Sequence, residues 1–184
     1  MNRTKLWVAL LGGAAMLAFS QLASATAVST RIEYAAAVDR ASAEYKDARA
    51  KCEPLAGHKK DMCVVEAQAV ERRAKASAEA NYKGTIEAQT ASQIVNADAD
   101  FMIAKVACET KAGQEKDVCV KEAQATRTKL VADAKAHKTA VDARADARAD
   151  TRDAQYKVAL AKCDAMSGLE KDACVTSANS AYGK

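Results

Sequence analysis

Apolar positions along this chain recur at alternating steps of three and four. One stretch runs Tyr34, Val38, Ala41, Tyr45, Ala48, Cys52, Leu55, and a second runs Ile94, Ala97, Phe101, Ala104, Cys108. Two more continue the spacing as Cys63, Ala67, Val70, Ala74 and as Cys119, Ala123, Thr126, Leu130. Such steps put the side chains on one helix face, forming a coiled-coil-like seam with polar residues filling the rest. No stretch alternates with period two, so no strand is predicted. The pattern predicts helices over about 30–56, 58–82 and 85–112, with a break at Gly84. A fourth helix leaves Gln114 and meets neither Gly nor Pro before Gly168, and a bend or frayed stretch is expected at 136–141. A short last helix is predicted over about 169–182.

The same unit occurs three times. The cysteine blocks read CEPLAGHKKDMCV (Cys52 to Val64), CETKAGQEKDVCV (Cys108 to Val120) and CDAMSGLEKDACV (Cys163 to Val175). All fit C-[ED]-x-x-x-G-x-x-K-D-x-C-V, with eleven residues from one cysteine to the next. An aromatic (Tyr45, Phe101, Tyr156) stands seven residues before the first cysteine of each block, and an alanine (Ala67, Ala123, Ala178) four residues after the second. This is an internal repeat of 56 and then 55 residues.

The cysteine spacing implies a reversal. In one unbroken helix, residues eleven apart lie about 16 Å apart, whereas a disulfide needs Cα atoms within about 7 Å. A bridged pair therefore requires the chain to turn back between its cysteines. Gly57, Gly113 and Gly168 can adopt the left-handed conformation that ends a helix. A new helix starting at the next residue would hold Asp61, Asp117 and Asp172 near its positive end. Repeat symmetry selects Cys52–Cys63, Cys108–Cys119 and Cys163–Cys174 from the connectivities that six cysteines allow. The predicted fold is all-α: tandem antiparallel helical hairpins with Ala-rich seams, each pinned by a disulfide near its tip. The expected units are residues 26–83, residues 84–140, and residues 141–184, the last a charged helical spacer followed by a short hairpin.

The opening segment changes the picture of compartment. Arg3 and Lys5 precede an uncharged apolar run from Leu6 to Phe19, followed by the small-residue sites Ala23-Ser24-Ala25 and Ala25-Thr26-Ala27. That layout is a secretory signal peptide over residues 1–25, with cleavage after Ala25 or Ala27. The run is short for a bilayer span, so no membrane insertion is expected after cleavage. Removing residues 1–25 lowers the formal charge from +4 to +2. The two signs alternate along the remainder, which offers no electrostatic case for nucleic acid. Residues 26–184 hold 22 Leu, Ile, Val and Phe, about one in seven where globular domains carry at least about one in five. Abundant Ala among Lys, Glu, Arg and Gln still favours helix over disorder. The result is a thin core that needs staples. Within it, VDARADARADTRDA sets Asp142, Asp146 and Asp150, and likewise Arg144, Arg148 and Arg152, one helical turn apart, as a solvated spacer.

Candidate chemistry is sparse. Zinc ligands usually come two to four residues apart in sets of four, and neither the cysteine spacing nor His58, which one repeat alone carries, fits that. Redox and haem sites would show C-x-x-C or C-x-x-C-H, and no nucleophile-elbow, zinc-protease or phosphate-loop pattern occurs. His58 and His137 sit in unrelated contexts and read as surface residues. Three copies of one device do not build the asymmetric centre that catalysis requires. No enzyme, metal or cofactor is expected, and the six cysteines with the glycines and aspartates of the turns are structural.

The tandem pattern aromatic-x-x-A-x-x-x-C-[ED]-x-x-x-G-x-x-K-D-x-C-V-x-x-A behind a signal peptide, with the ending AYGK, resembles a group of small exported Gram-negative proteins often labelled "cell envelope biogenesis protein TolA". TolA itself joins a membrane anchor, a long Ala/Lys-rich helix and a separate globular domain. Here, by contrast, the cysteine hairpins lie within the helical region. The resemblance therefore implies a periplasmic, envelope setting and no binding residue. Two functions are expected from these observations: a non-enzymatic structural or interaction protein with an envelope partner, or a holdase-type chaperone offering its seam to unfolded exported clients.

Overall fold

The computed structural model describes residues 29–184, so the export segment and its cleavage sites lie outside the described residues. Five helices follow in order: α1 (Arg31–Cys52), α2 (Gly57–Lys83), α3 (Ile86–Ala107), α4 (Gly113–Cys163) and α5 (Gly168–Tyr182), with a 3-10 turn over Cys108–Thr110 closing α3. The fold is all-α, and its disulfides join α1 to α2, the end of α3 to α4, and α4 to α5. Each helix packs on the next in the chain, and apart from one marginal touch on no other. The helices therefore form an open row instead of a closed bundle.

Local signals explain the boundaries. At the start of α1, Glu33 N–H donates to Thr30 Oγ1 (3.2 Å) while Thr30 N–H donates to Glu33 Oε2 (2.7 Å), a reciprocal capping box. This hydrogen bonding to Thr30 holds the Glu33 carboxyl below its ordinary range. Helix α2 ends on Gly84 in the left-handed conformation (φ 62°, ψ 14°), whose N–H donates to the Ala80 carbonyl. Thr85 then caps α3 by accepting from Ala88 N–H at 3.2 Å. Gly84-Thr85 is thus a complete two-residue reversal without a disulfide.

Fifty-six residues later the same places hold Ala140 and Val141. Neither favours a left-handed stop, and α4 runs straight through for 51 residues, about 76 Å. The bend or fraying expected at 136–141 does not occur. Lys138 reinforces that stretch by bonding Asp142 one turn on and Glu87 on α3 (3.0 Å). Every residue from 143 to 155 is exposed, so α4 carries a bare rod between the α1–α4 row and the α4–α5 hairpin.

Alanine supplies most of the core. Ala41, Ala67, Ala69, Ala78, Ala80, Ala88, Ala97, Ala99, Ala134 and Ala178 are buried, with Val65 beside them. The largest fully buried side chains are Cys52, Cys108 and Cys163. The seam residues Tyr34, Val38, Tyr45, Ala48, Ile94, Phe101 and Ala104 are half-buried. Leu55, Val70, Thr126 and Leu130 depart from the predicted seam and are exposed, Val70 to 56%. In an open row a seam has solvent along its edges, and the longer side chains are displaced to those edges as the alanine lines close up. The run Ala97-Asp98-Ala99-Asp100 shows the economy of this packing. Both alanines are buried, while Asp98 bonds Arg127 on α4 (2.6 Å) and Asp100 bonds Arg73 on α2. Residues two apart point about 200° apart around a helix, so α3 ties down both neighbours at one level.

Gly84→Ala is expected to destabilise the fold by about 1–2 kcal/mol, the cost of a left-handed alanine. Ala140→Gly should cost about 1 kcal/mol for the opposite reason, a glycine inside an exposed helix. Thermal melts followed by circular dichroism check both, and a neutral Gly84→Ala would contradict the reversal described.

Candidate functional site

The repeated hairpin tips are the one local structure that the chain builds three times. Cys52–Cys63, Cys108–Cys119 and Cys163–Cys174 are bridged, with Cα separations of 5.7, 5.8 and 5.6 Å. Each turn opens with the same hydrogen bond, from the N–H three residues on to the carbonyl of the first cysteine: Leu55 to Cys52 (3.1 Å), Lys111 to Cys108 (3.1 Å) and Met166 to Cys163 (3.0 Å). An extended residue follows (Ala56, Ala112, Ser167), and then glycine at φ +58° (Gly57), +51° (Gly113) or +56° (Gly168).

The glycines occupy the left-handed region but belong to the outgoing helices. Each is the first residue of α2, α4 or α5, while the incoming helix has stopped at or just before its cysteine. This moves Asp61, Asp117 and Asp172 to the fifth position, past the exposed N–H groups of the first turn. All three are exposed, and Ala56, Ala112 and Ser167 make no side-chain cap. Glu115 in α4 and Glu170 in α5 are the first-turn carboxylates, and α2 has none.

A feature that the motif held unread is an ion pair across the turn. In the first and third hairpins the acidic residue after the first cysteine meets the lysine of Lys-Asp, Glu53 with Lys60 at 3.0 Å and Asp164 with Lys171 at 2.9 Å, whereas Glu109 and Lys116 in the second do not pair. Arg49 also bonds Glu53 from one turn earlier. The hydrogen bond from Lys60 holds the Glu53 carboxyl below its ordinary range, and nearby Arg49 adds to this. The signal was available, since both residues recur in every block.

The third hairpin is short and is tied at its open end. Tyr156 donates its hydroxyl to Asn179 Oδ1 (2.7 Å) and its ring tilts against Tyr182 (centroids 5.9 Å apart). Lys184 bonds Asp153 at 2.7 Å, lies 5.8 Å from the Tyr156 ring centroid, and donates its backbone N–H to the Asn179 carbonyl past left-handed Gly183. The Lys184 hydrogen bond holds Asp153 below its ordinary range. The first hairpin uses Tyr34 stacked on Tyr82 (5.0 Å) for the same end-closing purpose.

Between α3 and α4 runs an open groove whose apolar lining of Ala97, Phe101, Ala104, Ala123 and Leu130 is interrupted by Asp100, Thr126 and Arg127, with His137 farther along beside Asn96 and Asp133. His58 is half-buried at the first tip and His137 is exposed, so the two histidines stand in separate places. Among the described residues no three His, Cys, Asp or Glu side chains group as a metal site, and no helix is long and apolar enough to cross a membrane.

Three bridges of this loop length each contribute about 3 kcal/mol on the chain-entropy argument. Helix α5 packs only on α4, so Cys163→Ser/Cys174→Ser should free it first. Hydrogen exchange is expected to show α5 losing protection while α1–α3 keep theirs. A uniform loss instead would mean that the hairpins are not separate units. The carboxyls of Glu53, Glu87 (bonded by Lys138) and Asp153 lie below their ordinary values of 4.5, 4.5 and 3.8. Their stabilising share is complete above those values and disappears as pH falls through the lowered ones. The melting temperature should hold from neutrality to about pH 5 and drop below it; Lys60→Ala should flatten part of that drop.

No protein-family model, no curated protein and no solved structure matches the chain.

Proposed function

We propose that this chain is a non-enzymatic periplasmic protein of the cell envelope, a stapled helical scaffold that engages envelope partners through its charged helix faces. The observation that carries the reading is α4, a 51-residue helix with a disulfide near each end, at Cys119 and Cys163, and an exposed charged stretch over 143–155 in between. Such an element holds two hairpins at a set distance, which suits a spacer or docking bar. The bridges suit an oxidising compartment, and the basic, apolar and small-residue order of residues 1–25 suits export into it. Repetition of one structural device, without a distinctive cluster of reactive groups, supports the non-enzymatic part.

A second reading is supported by the groove between α3 and α4. Phe101 is half-buried there and Leu130 is 39% exposed at its lip. A holdase-type chaperone would use that groove for unfolded exported clients.

Cross-linking in intact periplasm, followed by mass spectrometry of the captured proteins, separates the two. One or two recurrent envelope proteins are expected from the scaffold. A broad spread of unrelated exported proteins, lost on Leu130→Lys, would replace it with the chaperone. Recovery of the chain only from the cytoplasm would overturn both.

A further inference from the structure

One interface inside the molecule is a template for another outside it. Around Arg72 and Arg73, which reach α3, helix α2 carries a stripe at helical spacing, Val65, Ala69, Ala76 and Ala80, all buried or half-buried. Arg72 and Arg73 fix its direction, reaching Met102 and Asp100 on α3. Ala69 and, on the α3 side, Ala99 are wholly buried. A shift of 56 residues, the repeat length, carries the α2 stripe and its two arginines onto α4 as Lys121, Ala125, Thr128, Lys129, Ala132 and Ala136. Each of these six is exposed. The shift in the other direction carries the α3 line Ala88, Ser92, Val95, Ala99, Met102 and Val106 onto α1 as Ile32, Ala36, Asp39, Ala43, Lys46 and Ala50, all of them exposed too. Ile32, the counterpart of buried Ala88, is 82% exposed. The row therefore ends on the two halves of the joint that holds its middle together.

We propose that the outer face of α4 in one molecule packs on the outer face of α1 in a second copy, reproducing the α2–α3 joint head to tail. The ion pair survives the transfer: Arg73 becomes Lys129 and Asp100 becomes Glu44, opposite in sign at matching positions. Alanine meets alanine where the internal joint is tightest, Ala125 for Ala69 and Ala43 for Ala99. The bare half of α4 is a poorer occupant, because the 55-residue shift puts Gln155 where Asp100 stands and the charge is lost. At the tip end Lys121 and Lys46 replace Val65 and Met102, two like charges that make this joint weaker than its template. The joint is heterologous, so it does not close on two copies but continues.

The proposal is independent of compartment and is tested on purified, oxidised protein by sedimentation over a range of concentrations. The average mass should rise with concentration past that of a dimer. Ala43→Arg blocks the α1 face and Ala125→Arg the α4 face, and each alone should remain monomeric with an unchanged helical melt. Mixed in equal amounts they should form a one-to-one pair and nothing larger, since each still offers one intact face. Glu44→Lys or Lys129→Glu alone should weaken association at least about tenfold through like-charge contact, and the two together in one chain should restore it. A wild-type monomer at every concentration overturns the proposal. So does a fixed dimer that survives Ala43→Arg, or a mixture of the two arginine variants that fails to pair.

Discussion

An alanine brings one methyl group to a helix interface, so two alanine-lined helices gain contact only when their backbones lie close and in register. Close approach is easily lost: a small sideways slip separates the methyl groups and nothing larger fills the gap. The protein meets this constraint at the turns. Each hairpin is bolted by a disulfide one turn from its reversal, and the half-cystines Cys52, Cys108 and Cys163 are the largest side chains fully withdrawn from water. The bridges thus act both as staples on the chain and as the bulk of the core at three points. Elsewhere Ala69 and Ala99 pack to complete burial, with the Arg73–Asp100 and Arg127–Asp98 pairs at the edges linking α3 to both neighbours.

The same constraint explains why the row stays open. Closing four helices around a common axis leaves a central space that leucines or phenylalanines normally fill, and this chain has few of them. Alanine seams bury what they can pairwise, helix against next helix. Surface is left exposed at both ends of the row, and the repeat makes those two ends complementary. Alanine lines resemble one another, so charge placement is what distinguishes one helix face from the next.

The bare rod over 143–155 follows from a substitution within the repeat. Gly84-Thr85 supplies a left-handed stop and a cap; Ala140-Val141 supplies neither, and both residues continue a helix. The outgoing helix of the second unit and the incoming helix of the third therefore fuse into α4. The third hairpin is carried away from the row instead of extending it, held at its open end by Tyr156, Asn179 and Lys184.

Spacing alone made much of this legible. Cysteines eleven positions apart cannot be bridged along one helix, so the reversal between them follows from bond lengths and helical rise. The three-and-four pattern located the seam of α1, where Tyr34, Val38, Ala41, Tyr45, Ala48 and Cys52 are all buried or half-buried. What required the tertiary structure were properties of neighbours. Val70 and Leu130 sit at seam spacing yet face water, because only the number and order of packed helices decides whether a seam edge is covered. The aspartates were misplaced by a turn's detail, one residue in where the outgoing helix begins. The motif repeats the residue types of the Glu53–Lys60 pair, but their contact exists only once the chain has folded back. A sequence states which local geometries are permitted; which surfaces then meet depends on contacts between distant residues, and that is decided only in three dimensions.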